Sequence, residues 1–181
     1  MAYVATSWAA RDPVIDTKLQ QMSDNDAYLE NLVDNVMPMG ILAISRRVNQ
    51  TTGLTGIVDS ALTGLEITFT LSESRMVDVM FFARSWESDT ANTIIGQQIQ
   101  MSTTCIAERN LELTSPGSGT DGGIVHYVDQ LAAGTYTFGA GYIIYNPGSG
   151  ATIQMNSSST RPSFIMATDI GSGDGIIIAE S

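Results

Sequence analysis

The chain has 181 residues, 43% of them hydrophobic and only 15% charged, and its 19 acidic and 8 basic residues give a formal net charge of −11. This length suits one domain with an appendage, and a charged fraction below the usual value of about 25% favours a β-rich, largely neutral surface. Binding to nucleic acid or to an anionic membrane is not expected, because both need clustered Lys and Arg to meet phosphates.

Cysteine content and the N-terminal sequence further limit the classes of protein to which the chain could belong. The single cysteine, Cys105, excludes an internal disulfide and a cysteine-rich metal site, and its apolar neighbours predict a small core residue. The opening segment, MAYVATSWAARDP, has neither a positive leader region nor a long apolar run. We therefore expect no signal peptide and no transmembrane span.

The stretch from Ile15 to Val36 has the pattern of an amphipathic helix. Asp12 and Pro13 suit the N-cap and first helical position, and Pro38 disfavours helix in the residues before it. Apolar residues recur at alternating spacings of four and three, which is the heptad pattern of a coiled-coil seam. The seam positions are Ile15, Leu19, Met22, Asp26, Leu29, Val33 and Val36.

This seam predicts an oligomerisation or attachment element within residues 1–39. Three alternatives stay open for what covers it: copies of itself, another protein, or the domain that follows. Asp26 at a seam position favours a defined register or number of chains over maximal stability. Because a helix of this length is only marginally stable alone, the domain behind it would have to share the contact.

From Gly40 onward the apolar residues recur with a period of two. Leu65 to Leu71 alternates apolar and polar side chains, which is typical of a strand with one wet face. Arg75 to Trp86 is apolar on both faces around Met80 to Phe82, which indicates a strand in the middle of a sandwich or at a subunit interface. The other predicted strands are 41–48, 94–101, 103–114, 124–130, 134–145, 151–156 and 163–168, with a loop over 115–123.

Eight or nine strands at regular spacing, without intervening helices, predict a mainly β protein. We expect an antiparallel, jelly-roll-like β-sandwich over residues 40–170. One N-terminal α-helix precedes it, and a Gly-rich tail over residues 171–181 follows it.

No common catalytic motif is present: the patterns G-x-S-x-G, H-E-x-x-H and G-x-x-x-x-G-K are all missing. His126 is the only histidine, and a lone histidine within a strand is expected to be structural. Two acids that are distant in sequence can converge in space as a glycosidase pair, although acids are also the ordinary content of solvent-facing strand positions and turns. We predict no enzyme activity and no cofactor. The acids available for such a pair are Glu66, Glu73, Asp78, Glu87 and Asp89.

Two segments hint at ligand binding. Trp86, flanked by Glu87 and Asp89, would make an aromatic platform for a sugar, although packing against a neighbouring subunit is the plainer use of this residue. Asp169 and Asp174 flank a Gly-rich turn that loosely resembles an oxygen-ligand calcium site, but the spacing is not that of an EF-hand and a hinge is favoured. We therefore predict no metal site and keep Trp86 as the candidate ligand-binding residue.

Two further patches carry a family resemblance. The first is WAARDPVID from Trp8, followed by Leu19, Asn25 and Tyr28; the second joins LAAGTYTF from Leu131 with ATI from Ala151 and RPSFIMATDIG from Arg161. Together they resemble small virion structural proteins of tailed bacteriophages, in which a Trp, a turn and a helix precede a β-domain. This chain departs from that pattern at residues 167–168, where Val-Glu is common, and in having no Pro after residue 171.

The resemblance implies a homotrimeric sandwich displayed on a phage particle and attached to capsid or tail proteins through its N-terminal segment. It would be a capsid decoration or head fibre, or a tail fibre component, located in the virion after assembly in the host cytoplasm. The alternative is a carbohydrate- or receptor-binding module at the phage surface, which would use Trp86 to bind a host surface glycan.

Overall fold

The computed structural model describes residues 20, 21, 23–27, 40–117, 119–145 and 151–172. Residues 20, 21 and 23–27 are helical, as predicted for this part of the chain, and Asp26 lies there with an exposed side chain. The remaining seam positions lie outside the described residues; they are Ile15, Leu19, Met22, Leu29, Val33 and Val36.

The described chain from residue 40 onward folds into β-strands. Alternation of apolar and polar residues explains most of them, because a strand buried on one face needs apolar side chains at every second position. The strands are β1 Gly40–Arg47, β2 Thr51–Leu54, β3 Ser60–Leu71, β4 Arg75–Ser88, β5 Thr93–Met101, β6 Thr104–Leu113, β7 Thr120–Leu131, β8 Gly134–Ile144, β9 Ile153–Asn156 and β10 Ser163–Gly171.

These strands form two antiparallel sheets that pack face to face. The front sheet has the order β1-β10-β4-β7. On the same edge of β4 as β10, β9 pairs with the C-terminal end of β4, past the residues that pair with β10, and β2 pairs with β9. The back sheet has the order β3-β8-β5-β6. The chain passes repeatedly between the two sheets in the manner of a jelly roll. The predicted mainly β, jelly-roll-like sandwich behind an N-terminal helix is confirmed.

The core lies between the sheets. Val77, Val79, Phe81 and Ala83 of β4 are at most 1% exposed and face the inward side chains of the back sheet. Trp86 completes this layer. Its indole Nε1 donates a hydrogen bond to Gln97 Oε1 at 3.0 Å. The Gln97 amide in turn donates to two main-chain carbonyls, so this buried polar pair is satisfied.

Two strand predictions are corrected. The short edge strand β2 was not predicted, because Thr51–Leu54 has only four residues and no alternation. The loop predicted over 115–123 is too long, since β7 begins at Thr120 and pairs with the end of β4. The glycines suggested a turn, but Gly122 lies so close to Ala83 that a Cβ would collide with its carbonyl oxygen. Glycine here permits close strand pairing.

Candidate interaction surface

The outer face of the front sheet is apolar at its centre. On β4 and β10, the side chains that alternate with the core residues are Met80, Phe82, Phe164 and Met166, all partly exposed. Met166 lies opposite Met80, and Phe164 opposite Phe82. The two phenylalanine rings are 5.4 Å apart between centroids and tilted by 36°. This pair forms an aromatic centre on a face that no other described element covers.

The same face extends apolar to both edges of the sheet. On β1, Ile41 and Ile44 are 63% and 51% exposed, and Ile44 lies opposite Met166. On β7, Ile124 and Val128 are 41% and 44% exposed, and Ile124 lies opposite Phe82. Ile44 and Ile124 therefore make the apolar surface continuous across four strands, whereas Ile41 and Val128 lie at its margin, opposite Thr168 and Asp78. We call this surface the front face.

The back sheet is a useful comparison, because its outer surface has the polar composition expected of a solvated sheet. Thr68 and Thr70 of β3 share hydrogen bonds of 2.9 Å with Thr137 and Thr135 of β8. Glu66 is exposed on the same side. One sandwich thus has one polar outer face and one apolar outer face, and exposed apolar patches are typical of interaction sites.

Charged groups on the front face are few. The His126 Nδ1 atom lies 3.0 Å from Asp78 Oδ1, and the two residues belong to neighbouring strands β7 and β4. Arg46 lies opposite Phe164, and Arg84 borders an open depression of about 460 Å³ beside Phe82. Within the described part of the chain, neither arginine side chain forms an ion pair. The face is therefore apolar at its centre and mildly basic at one end.

A second depression, of about 330 Å³, lies where β9 meets the end of β4 and includes Glu87 and Asp89. Glu87 accepts hydrogen bonds from the amides of Asn156, at 2.6 Å, and Gln154. Asp89 accepts bonds from the hydroxyl and main-chain N–H of Thr152, at 2.5 and 2.9 Å. These bonds from Thr152 lower the pKa of Asp89. A lowered pKa does not suit the general acid of a glycosidase, and the same hydrogen bonds attach the segment before β9 to the end of β4.

We expect Asp89 to make stability depend on pH in the acid range. Its pKa is lowered below the ordinary 3.8 in the folded state, so its contribution is present above that value and is lost as the pH falls through the lowered value. The difference in thermal midpoint between wild type and Asp89→Asn should therefore shrink as the pH falls from about 5 to about 2.5. A difference that stays constant over this range would contradict the assignment.

The candidate binding residue Trp86 requires a correction. Its side chain is 0% exposed, packs against Tyr142 with ring centroids 6.3 Å apart and donates its N–H to Gln97. An indole enclosed in the core presents no face on which a sugar could stack. The aromatic-platform prediction is therefore wrong for this fold, and so is the prediction of packing against a neighbouring subunit, because Trp86 packs inside its own domain.

Three other predicted residues lie apart from one another. His126 is exposed and pairs with Asp78, which is a surface contact between two strands. Cys105 is only partly buried at the start of β6, where its thiol donates to the Ala107 carbonyl at 3.5 Å, so the core assignment was wrong. Asp169 is buried and bound to Arg75, with Nη2–Oδ2 of 2.8 Å, so it is not available as a cation ligand.

The sequence also carried a signal that was not used. Residues on β10 are apolar at consecutive positions from Phe164 to Met166, the same doubly apolar pattern that marked β4. Taken together, the two runs indicate two adjacent strands with apolar outer sides. Ile44, Ile124 and Val128 offered no comparable signal, because single apolar residues on strands are common at protein surfaces.

The described residues contain neither a membrane-spanning helix nor a cluster of side chains able to hold a metal ion. No helix in this part of the chain is long and apolar enough to span a membrane. Within the same residues, no group of three or more His, Cys, Asp or Glu side chains is arranged to hold a metal ion.

Comparisons with known proteins give only distant likenesses. No family model and no curated protein matches the chain. Among solved structures, it is similar to infectious bursal disease virus of the Gx strain, with 11% identity over 76% of this chain and 41% of that chain, at a TM-score of 0.33. For the Gt strain of that virus the identity is 11% over 81% and 45% of the two chains, at a TM-score of 0.23.

The chain is also similar to a Paenibacillus sp. cycloisomaltooligosaccharide glucanotransferase complexed with cycloisomaltoheptaose. The identity is 13% over 71% of this chain and 17% of that chain, at a TM-score of 0.22. This protein spans less than half the length of the chains that it matches. All three TM-scores lie below 0.5, so these likenesses carry no inference about function.

Proposed function

We propose that this protein is a structural component of a tailed-bacteriophage particle, a homotrimer attached through its N-terminal segment. The observation that carries the proposal is the continuous apolar front face of the sandwich, together with the heptad pattern of the helix that precedes the sandwich in the sequence. Exposed apolar patches of this extent on soluble proteins mark interaction sites. The role is mechanical: one surface joins subunits, and the N-terminal segment fixes them to the particle.

The fold and the resemblance support the proposal in different ways. Jelly rolls serve in viral capsid and lectin domains, which is an analogy at the level of the fold and favours a particle or a binding role. The phage-like patches around Trp8 and Arg161 support a tailed bacteriophage as the kind of particle. Capsid decoration, head fibre and tail fibre component are all compatible with these patches, and the partners are copies of the chain and capsid or tail proteins.

We propose a role without catalysis, cofactor or metal. The cleft acids Glu87 and Asp89 accept hydrogen bonds from neighbouring side chains of β9 or of the residues just before it. With these bonds in place, the two carboxylates act as fasteners of the strand. The glycan-binding alternative loses its main support with the burial of Trp86.

The proposal is tested on particles purified from the phage that encodes the chain. Mass spectrometry should find the chain in stoichiometric amounts, and immunogold labelling should mark one defined place, which also distinguishes capsid from tail. Recovery of the chain only in the soluble fraction of the lysate would disprove a virion role.

Attachment is tested with a truncated chain that begins at Met39, which retains all the described strands. Phage complemented with this chain should lack it in purified particles, whereas a matched chain that ends at Ser172 should be incorporated. Full incorporation of the chain beginning at Met39 would show that the N-terminal segment is not the anchor.

A further inference from the structure

We infer that the front face is the surface through which copies of this chain meet, the occupant being the front face of neighbouring copies arranged around a symmetry axis. This inference rests on the proposed homotrimer and adds to it the sheet that makes the contact. It is carried by the composition of the front face, its size, its charge and the short stretch of sequence between its edge strand and the predicted helical seam.

The composition of the front face favours an apolar partner. Phe82, Phe164, Met80 and Met166 at the centre, with isoleucines on the edge strands, would stay in contact with water in a single copy. Burying such side chains gains roughly 25 cal/mol for each Å² of apolar surface removed from water. A second front face supplies the matching apolar surface without a further gene product.

Size supports a shared interface. Four strands about 4.8 Å apart, each contributing about eight residues of 3.3 Å rise, cover roughly 500 Å² in projection. Specific interfaces bury about 800 Å² on each partner. A copy in a trimer has two neighbours, so the front face supplies about a third of the surface that the copy would bury, and the predicted helical seam over 15–36 would add to it.

Charge selects the front face over the back of the sandwich. A net charge of −11 makes copies repel, so they associate best where acidic groups are few. The front face has Arg46, Arg84 and the paired Asp78, whereas the outer face of the back sheet has Glu66, Glu108 and Glu112. Two front faces meet with little repulsion, and two back faces would bring at least six glutamates together.

Chain connectivity limits the distance between the front face and the end of the predicted seam. β1, the edge strand of the front face, begins at Gly40, only four residues after the last seam position, Val36. Four residues span at most about 14 Å. Helices that associate through the seam would therefore hold the β1 strands of the copies close together, which raises the effective concentration of one front face near the next.

The test compares two full-length double variants with the same added charge. Ile44→Asp with Val128→Asp places carboxylates on the front face, at positions 51% and 44% exposed, where one copy folds without burying them. The matched control is Thr68→Asp with Thr104→Asp, at exposed positions of the back sheet. Mass is measured by sedimentation equilibrium over a range of protein concentrations, and circular dichroism confirms that each variant is folded.

We expect wild type and control to have the mass of three chains. In the front-face variant the concentration for half dissociation should rise at least about a hundredfold, tenfold for each carboxylate buried without a partner. If the double variant unfolds early, Ile124→Asp alone, at a position 41% exposed, repeats the test. A dimer or tetramer with the same sensitivity would support the face and correct the number of copies.

Two outcomes overturn the inference and are distinguishable. If the front-face variant dissociates at the same concentration as wild type, the front face is not the interface, while the proposed homotrimer stands on the helix. If wild type is a monomer at all concentrations, the proposed homotrimer itself fails. The front face would then bind a different protein of the particle.

Discussion

Replacing Trp86 by Ala is expected to lower the free energy of unfolding by about 3–5 kcal/mol, the usual range for truncating a buried aromatic side chain. The indole is 0% exposed and packs against Tyr142 in the core. The substitution also removes the donor that satisfies the buried Gln97 carbonyl, and a buried polar group without a partner costs about 1–3 kcal/mol. Urea unfolding at a fixed protein concentration measures the change, because association also adds to apparent stability.

Two controls separate packing from hydrogen bonding. Trp86→Phe keeps an apolar ring but loses the N–H. Its free energy of unfolding should therefore lie between that of wild type and that of Trp86→Ala. Ile57→Ala, at a position 65% exposed, should change stability by less than about 0.5 kcal/mol. If Trp86→Ala had wild-type stability and also lost binding on a glycan array, the buried role would be wrong and the carbohydrate alternative would regain its support.

Replacing Asp169 by Ala is expected to destabilise the fold by about 3–5 kcal/mol, because it leaves a buried guanidinium without its main partner. Arg75 donates to Asp169 Oδ2 from Nε at 3.0 Å and from Nη2 at 2.8 Å, and both side chains are fully buried. The hydrogen bond that Arg75 donates to Asp169 raises the pKa of Arg75. Without this bond the guanidinium still remains charged, because arginine is not deprotonated in proteins. Asp169 also accepts the Gly171 N–H at 2.8 Å, which fixes the end of β10.

The matched variants test whether the cost comes from the unpaired charge. The double variant Arg75→Met with Asp169→Leu removes both charges and should recover most of the lost stability. Glu73→Gln affects the other ion pair of Arg75, whose carboxylate is one-third exposed, and should cost less than about 1 kcal/mol. Equal effects of Asp169→Ala and Glu73→Gln would show that the buried pair is not what holds β4 to β10.

The sequence predicted most of the strands, because alternation is a property of neighbouring residues. Leu65 to Leu71 points every second side chain into the core, as its pattern requires. The doubly apolar run of β4 was interpreted as a strand with both faces covered, and its inner side is in the core while its outer side lies on the front face. Prediction errors arose where one residue type is compatible with two kinds of local structure. The glycines of β7 are an example, because glycine permits close strand pairing as well as turns.

By itself, the sequence determined the class of the fold, the helix ahead of it and the scarcity of basic charge, all of which are local or compositional. Only the tertiary structure decided which strands lie side by side. Pairing brings Ile44 beside Met166 and Arg75 onto Asp169, contacts between residues 122 and 94 positions apart (166 − 44 and 169 − 75). It also encloses Trp86, which the sequence places next to two acids, and assembles the front face from single apolar residues on four strands. No local pattern encodes such contacts, because strand order depends on the packing of the whole chain.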